Sequence, residues 1–231
     1  NGIDPKVSEF ADKYPYEKFI FAKECDKNCC YVKDGKVMFK RKGEPEEIIS
    51  VDEIPLVGEH NVQNVMVATI VAKLCGVSND KIKEKIKSFK AVEHRIEYVG
   101  TDGVHKFYND SKSTTTEATI VALKAFPNKD VTLIMGGRDK MTDLNGLCEK
   151  VKESVKNVVL IGEATQRFKE ALLAHGFDAI YEAKTFEESI DKSIEYKNEI
   201  ILFSPACASF DMFDNFEHRG EEFKKYVGTK I

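Results

Sequence analysis

The sequence predicts an α/β protein whose mostly parallel sheet is covered by helices on both faces. Two observations predict it. From residue 96 onward, short runs of strand-forming residues alternate with segments that carry apolar residues at helical spacing. Strands in alternation with one-sided helices mean βαβ units, and βαβ units build parallel sheets with helices outside. Upstream lies a smaller piece made of short strands plus two helices, with no internal repeat or low-complexity tract anywhere.

Residues 1–57 carry only short strand-like runs, at 19–22, 30–32, 37–39 and 48–51. Asp34-Gly35, between the second and third, is a two-residue hairpin signal. Such short runs are expected to bury little by themselves and to belong to a sheet whose other strands lie elsewhere. After Gly58-Glu59-His60-Asn61 comes a helix with Val62, Val65, Met66, Thr69, Ile70 and Lys73 along its length, closed by Gly76. Ser78 or Asn79 caps a second helix carrying Ile82, Ile86 and Phe89. A boundary near 90–93 divides the chain into 1–92 and 93–231.

The second part opens with runs at 96–99 and 104–108 around Thr101-Asp102-Gly103, a hairpin. The second run stops at Asn109-Asp110, both turn residues. Thr114 with Glu117 has capping-box spacing ahead of Ala118, Val121, Ala122 and Ala125. Runs at 131–135, 158–161, 179–181 and 200–203 are each followed by a helical pattern. These carry Leu144, Leu147, Cys148, Val151 and Val155, then Phe168 and Leu172 before Gly176, then Phe186, Ile190 and Ile194, and finally residues 217–227.

The chain of 231 residues is long enough for one large or two modest domains. At 42% hydrophobic and 32% charged it has a globular composition. A net charge of −4, with the signs well mixed, gives no basic face for nucleic acid. No apolar run approaches the roughly 18 residues that a membrane span needs, and there is no signal peptide, so a cytoplasmic location is expected. Six cysteines then read as reduced thiols, and Cys25, Cys29 and Cys30 lack a second ligand pair at zinc-like spacing. The chain opens on Asn-Gly-Ile-Asp-Pro without an initiator methionine, which is expected of a fragment or a processed product.

Ligands of parallel sheets bind beyond the carboxyl ends of the strands. Those ends carry NDSKSTT (109–115), GGRDK (136–140), GEAT (162–165), EAKT (182–185) and SPACASFDMFDNF (204–216). Lys112, Arg138 and Lys140 supply charge, and Thr114, Ser204 and Ser209 supply hydroxyls. Gly136-Gly137 lets a backbone approach closely or merely turns the chain. A small acidic substrate or a phosphate fits this set. Asn61 and Asn64 share one side of a helix's opening turn, either as caps or as an amide pair that reads a hydrogen-bonding edge. Phe210, Phe213 and Phe216 read as a core-packing stripe more readily than as a ligand clamp, and Lys140 alone could be a solvated charge. Cys207 has no histidine near it in sequence, and the five histidines show no metal spacing. Neither G-x-G-x-x-G nor G-x-x-x-x-G-K-[ST] occurs, so the usual phosphate cradles are not in this sequence.

Taken in order, GEHNVQN (58–64), HRIE (94–97), NDSKSTT, GGRDK and SPACASFDMFDNFEHRG (204–220) resemble the Mur ligase family. NGIDP is similar to a segment late in that family's central ATPase domain. NDSKSTT, in place of a Tyr-Ala-His type sequence, points within the family to the branch that adds D-glutamate. The resemblance implies three domains in the whole protein: a UDP-binding domain, a central ATPase and a Rossmann-like amino-acid-binding domain. Residues 1–92 would be the end of the ATPase domain, and 93–231 the whole of the last. The phosphate-binding loop, magnesium ligands, carbamylated lysine and UDP site would lie outside this chain.

The implied reaction uses ATP and magnesium to activate the carboxyl group of UDP-N-acetylmuramoyl-L-alanine as an acyl phosphate, which the D-glutamate amine attacks. By resemblance, Asn61 and Asn64 hold adenine, and His94, Arg95 and Asp110 lie near the nucleotide. Lys112 is assigned to catalysis at the phosphate and substrate, and Thr114, Lys140, Ser209, Phe210 and Phe216 to D-glutamate. Arg138-Asp139 departs from the Asp-Gly of some members, and Phe210 replaces a commoner Leu. The fragment is expected to be inactive alone and monomeric, with no nucleic-acid partner and no membrane insertion. The alternative is a stand-alone substrate-binding or regulatory module derived from such a ligase.

Overall fold

In the computed structural model, which describes residues 1–127 and 129–231, the chain divides into two compact units, Asn1–Lys90 and Ala91–Ile231. The first unit begins with helix α1 (Pro5–Asp12), followed by strands β1 (Ile20–Phe21), β2 (Asn28–Lys33), β3 (Lys36–Arg41) and β4 (Glu46–Ser50). Helices α2 (Glu59–Leu74) and α3 (Asn79–Lys87) complete it. The strands form one sheet in the order β1-β2-β3-β4, with β1 parallel to β2 and the other pairs antiparallel. Asp34 and Gly35 both take positive φ (50° and 73°), as the tight turn joining β2 to β3 requires.

These short runs do more than their length suggested. Cys30, Val37, Phe39, Ile48 and Ile49 from the sheet meet Val65, Met66, Ile70 and Ile82 from α2 and α3 in one buried cluster. The helices supply the second layer, so the sheet needs no strands from elsewhere to bury this face. Helix α1 was not expected. Asp4 caps it by accepting from the backbone N–H groups of Lys6 and Val7, and Pro5 stands in its first turn. Phe89 lies beyond α3 and is 53% exposed, so only Ile82 of the predicted apolar triad is fully buried.

The second unit runs β5 (Glu97–Thr101), β6 (Lys106–Asn109), α4 (Thr116–Leu123), β7 (Val131–Gly136), α5 (Asn145–Ser154) and β8 (Asn157–Ile161). It continues with α6 (Thr165–Ala174), β9 (Ile180–Glu182), α7 (Phe186–Glu195), β10 (Ile200–Phe203) and α8 (Phe216–Val227). The sheet order is β5-β6-β10-β7-β8-β9, and every pairing is parallel except β5 with β6. Strands β7 and β10 are buried at every residue, the environment of strands covered on both faces. One side of the core gathers Phe107, Ile134, Val159, Phe203, Phe186, Ile190, Phe223 and Val227.

Two expected boundaries move. Strand β6 starts at Lys106 rather than at 104, because the Asp102 carboxylate accepts from the backbone of Val104 and His105 and holds both in the turn. The cap of α4 is Thr115, whose hydroxyl accepts from Ala118 N, and Thr114 stands one residue outside the helix. The phenylalanine stripe is not a single core element. Phe213 packs edge-on against Phe186, Phe216 is half-buried, and Phe210 is 62% exposed.

Candidate functional site

The carboxyl ends of β6, β10, β7 and β8 release four loops that are bound to one another. Gly136 N donates to Pro205 O, Arg138 N to Ala208 O, and Ala164 N to Gly137 O. This close approach requires glycine. A Cβ at Gly136 would lie 1.9 Å from Ile161 O, and one at Gly137 2.5 Å from Ala208 O, and both residues take φ near 130°. Gly136-Gly137 is therefore a packing device as well as a turn. Lys140 Nζ donates to Thr114 O at 2.9 Å and joins the GGRDK and NDSKSTT loops.

Beneath these loops lies a residue that sequence reasoning did not single out. Arg219 of α8 is 1% exposed. Its Nε donates to Ser111 Oγ (3.0 Å), and its Nη2 donates to Ser111 O (2.8 Å) and Cys207 O (3.1 Å). Ser111 Oγ in turn donates to Phe216 O. Among the described residues Nη1 has no partner, and burial lowers the guanidinium pKa to about 10. The signal was present in the sequence. Phe216, Arg219, Gly220, Phe223 and Val227 fall on one face of α8, so an arginine occupies an otherwise apolar stripe.

Asp110 is a second buried centre, 2% exposed at the end of β6. Its carboxylate accepts from Ile96 N, from the Ser113 hydroxyl and from Ser204 Oγ at 2.7 Å. Burial raises its pKa to about 6, against the pull of those donors. His94 is also buried, with its Nδ1 2.9 Å from Asn109 Nδ2 and its ring edge-on to Phe216. Both residues therefore sit beneath the loop, whereas Arg95 is exposed.

On the open side, Lys112 and Lys140 are exposed, Thr114 and Phe216 are half-buried, and Ser209 is buried. Lys112 Nζ stands 4.3 Å from the centre of the Phe216 ring, a cation–π contact that fixes an ammonium over an apolar wall. Arg138 pairs with Glu163 at 3.3 Å, and Asp139 is clamped by Arg167 at 2.9 Å. The acid at 139 is thus committed to holding its own loop. Burial pushes the Cys207 thiol up to about 12, which leaves it a protonated packing residue rather than a nucleophile. In the first unit, Asn61 Nδ2 donates to Val57 O, and Asn64 Nδ2 donates to Asn61 Oδ1. The two amides do pair at the start of α2.

The fold and this edge define a doubly covered α/β domain whose linked loops gather cations and hydroxyls at the carboxyl ends of the strands. Residues 94–207 match the family model described as "Mur ligase, glutamate ligase domain". The UDP-N-acetylmuramoylalanine–D-glutamate ligase of Thermoanaerobacter sp. (strain X514) is 40% identical over 232 residues, 98% of this chain and 51% of that protein. The enzyme of the same name from Bacillus cereus (strain AH820) is 39% identical over 100% of this chain and 51% of its own length. Among solved structures, MurF from Acinetobacter baumannii superposes with a TM-score of 0.67 at 16% identity, covering 96% of this chain and 49% of that one. UDP-N-acetylmuramate-alanine ligase from Thermotoga maritima gives 0.64 at 14% identity, covering 91% and 48%. The chain belongs to the Mur ligase family, and it spans about half the length of the curated relatives it matches.

Proposed function

We propose that this chain is the amino-acid-binding part of a ligase that joins D-glutamate to UDP-N-acetylmuramoyl-L-alanine in peptidoglycan precursor synthesis. The observation that carries the reading is the 40% identity to a D-glutamate ligase along 98% of the chain. The geometry supports it. D-Glutamate brings two carboxylates and an amine to the loops, and Lys112 and Lys140 offer charge-assisted hydrogen bonds to the carboxylates. Thr114 and Ser209 add hydroxyls, and Phe216, with exposed Phe210 at the rim, walls off water from the side-chain methylenes.

Of an adenine nucleotide, the residues present fit the base and not the phosphates. Asn61 and Asn64 carry both donor and acceptor groups, but no glycine-rich phosphate cradle occurs in the sequence. On this reading Asn61 and Asn64 of the first unit contact adenine, and within the second unit His94 and Asp110 hold the loop that presents Lys112. ATP, when bound, supplies activation of the nucleotide substrate's carboxyl group. Lys112 steadies the negative charge that develops beside that carboxyl, and the D-glutamate grip aims the amine. On this reading the family resemblance puts the magnesium ligands in the part of the ligase outside this chain. No described helix is long and apolar enough to cross a membrane.

The test is made on the complete protein that contains this chain, supplied with ATP, magnesium and UDP-N-acetylmuramoyl-L-alanine. D-Glutamate is expected to drive ADP release and an amide product, and L-glutamate, D-alanine and diaminopimelate are not. Preference for another amino acid would overturn the assignment. The 231-residue chain alone is expected to form no product.

A further inference from the structure

We propose that Cys25 and Cys29 form a redox modification site: a dithiol that small-molecule disulfides oxidise to an intramolecular disulfide. Cys25, Cys29 and Cys30 are close in sequence, but the strand separates them. Cys30 packs into the buried cluster between the sheet and α2, and Cys29, its neighbour on β2, faces the opposite side. There the Cys29 sulfur is folded against Cys25. Cys25 N donates to Cys29 Sγ at 3.2 Å, and Cys29 Sγ donates to Cys25 O at 3.4 Å. The Cys29 sulfur thus touches both backbone polar atoms of Cys25, and the two side chains also share a hydrogen bond, so the thiols are neighbours within the same turn of chain.

The two thiols differ in access, and that sets the order of events. Cys25 is half-buried and reachable, and Cys29 is fully buried. Burial first, and then the neighbouring Cys25 side chain, push the Cys29 thiol up to about 12, so it is the slow partner. Cys25, as thiolate, attacks one sulfur of an external disulfide such as oxidised glutathione and expels one thiolate. Cys29 then loses its proton to water and attacks the Cys25 sulfur, expelling the second thiolate. Two protein thiols and one external disulfide become one protein disulfide and two external thiols. The bond closes the connection between β1 and β2, where Ala22 N donates to Cys30 O and Lys42 N to Lys27 O.

The experiment uses the full chain carrying Cys75→Ser, which removes the exposed thiol. Treatment with oxidised glutathione is expected to lower the intact mass by ~2 Da, with dithiothreitol restoring it. Trypsin cuts after Lys27, between the two cysteines, so the oxidised protein should yield peptides 24–27 and 28–33 joined through Cys25 and Cys29. Cys25→Ser, at a half-buried position, should abolish the loss. A stable adduct of about 305 Da on Cys25, a link to Cys30, or an unchanged mass would each overturn the proposal.

Discussion

Lys140 does two jobs at once: its ammonium holds Thr114 O, and it stands exposed at the loop edge. Lys140→Ala in the complete protein should therefore raise the KM for D-glutamate by the loss of a charge-assisted contact, about 1.5–3 kcal/mol. An unchanged KM in steady-state assays would remove Lys140 from the site. Arg219 is different, because it is buried and its hydrogen bonds hold Ser111 and Cys207 together. Arg219→Lys keeps the charge but cannot reach Ser111 and Cys207 together, so denaturant unfolding should show a loss of about 3–5 kcal/mol. Asp110 predicts a pH effect. Its folded pKa of about 6 lies above the ordinary 3.8, so folding favours the protonated form. That contribution is complete below the unfolded value and is lost as pH rises through the folded one, on the order of 2–3 kcal/mol. Asp110→Asn should flatten the stability curve across that window in urea titrations, and a curve of unchanged slope would exclude the residue. The exposed cations of the site were legible in the sequence because parallel sheets present their loops at one edge. The buried supports were less so. Asp110 reads as a turn residue until the fold brings Ser204, from 94 positions away, against it.

At the level of elements, the regular strand and helix units of the second half were legible because each carries its own apolar period. The cap of α4 was not, since three threonines stand in a row at 114–116 and spacing alone cannot choose among them. Thr115→Ala should cost about 1 kcal/mol of stability by thermal or chemical unfolding, and Thr114→Val close to nothing. The reverse order would return the cap to Thr114. Helix α1 escaped notice because it buries none of its residues, so no apolar stripe marks it, and Asp4-Pro5 was its only signal. Helix α8 contains a tighter constraint. A Cβ on Gly220 would lie 2.2 Å from His94 Nδ1. Gly220→Ala should displace His94 from Asn109 and destabilise the second unit by roughly 1–3 kcal/mol, despite alanine's better helix propensity. A stabilised variant would show that α8 can shift freely.

For the whole molecule, protection should follow burial. Amide exchange is expected to be slowest in β7, β8 and β10 and fastest in α1, which has no buried residue and a two-residue strand after it. Equal protection of α1 and β7 would contradict this picture. The strand order adds a demand on synthesis. Strand β10, the last in the chain, lies between β6 and β7, and the registers pair Ile200 with both Lys106 and Val131. Until residues 200–203 are made, β6 and β7 lack the strand that pairs with both, and the facing edge of each waits for a segment that comes last. The second unit must therefore close only after translation reaches residue 203, and a chain stopped short of Ile200 would lack the middle of its sheet rather than a tail.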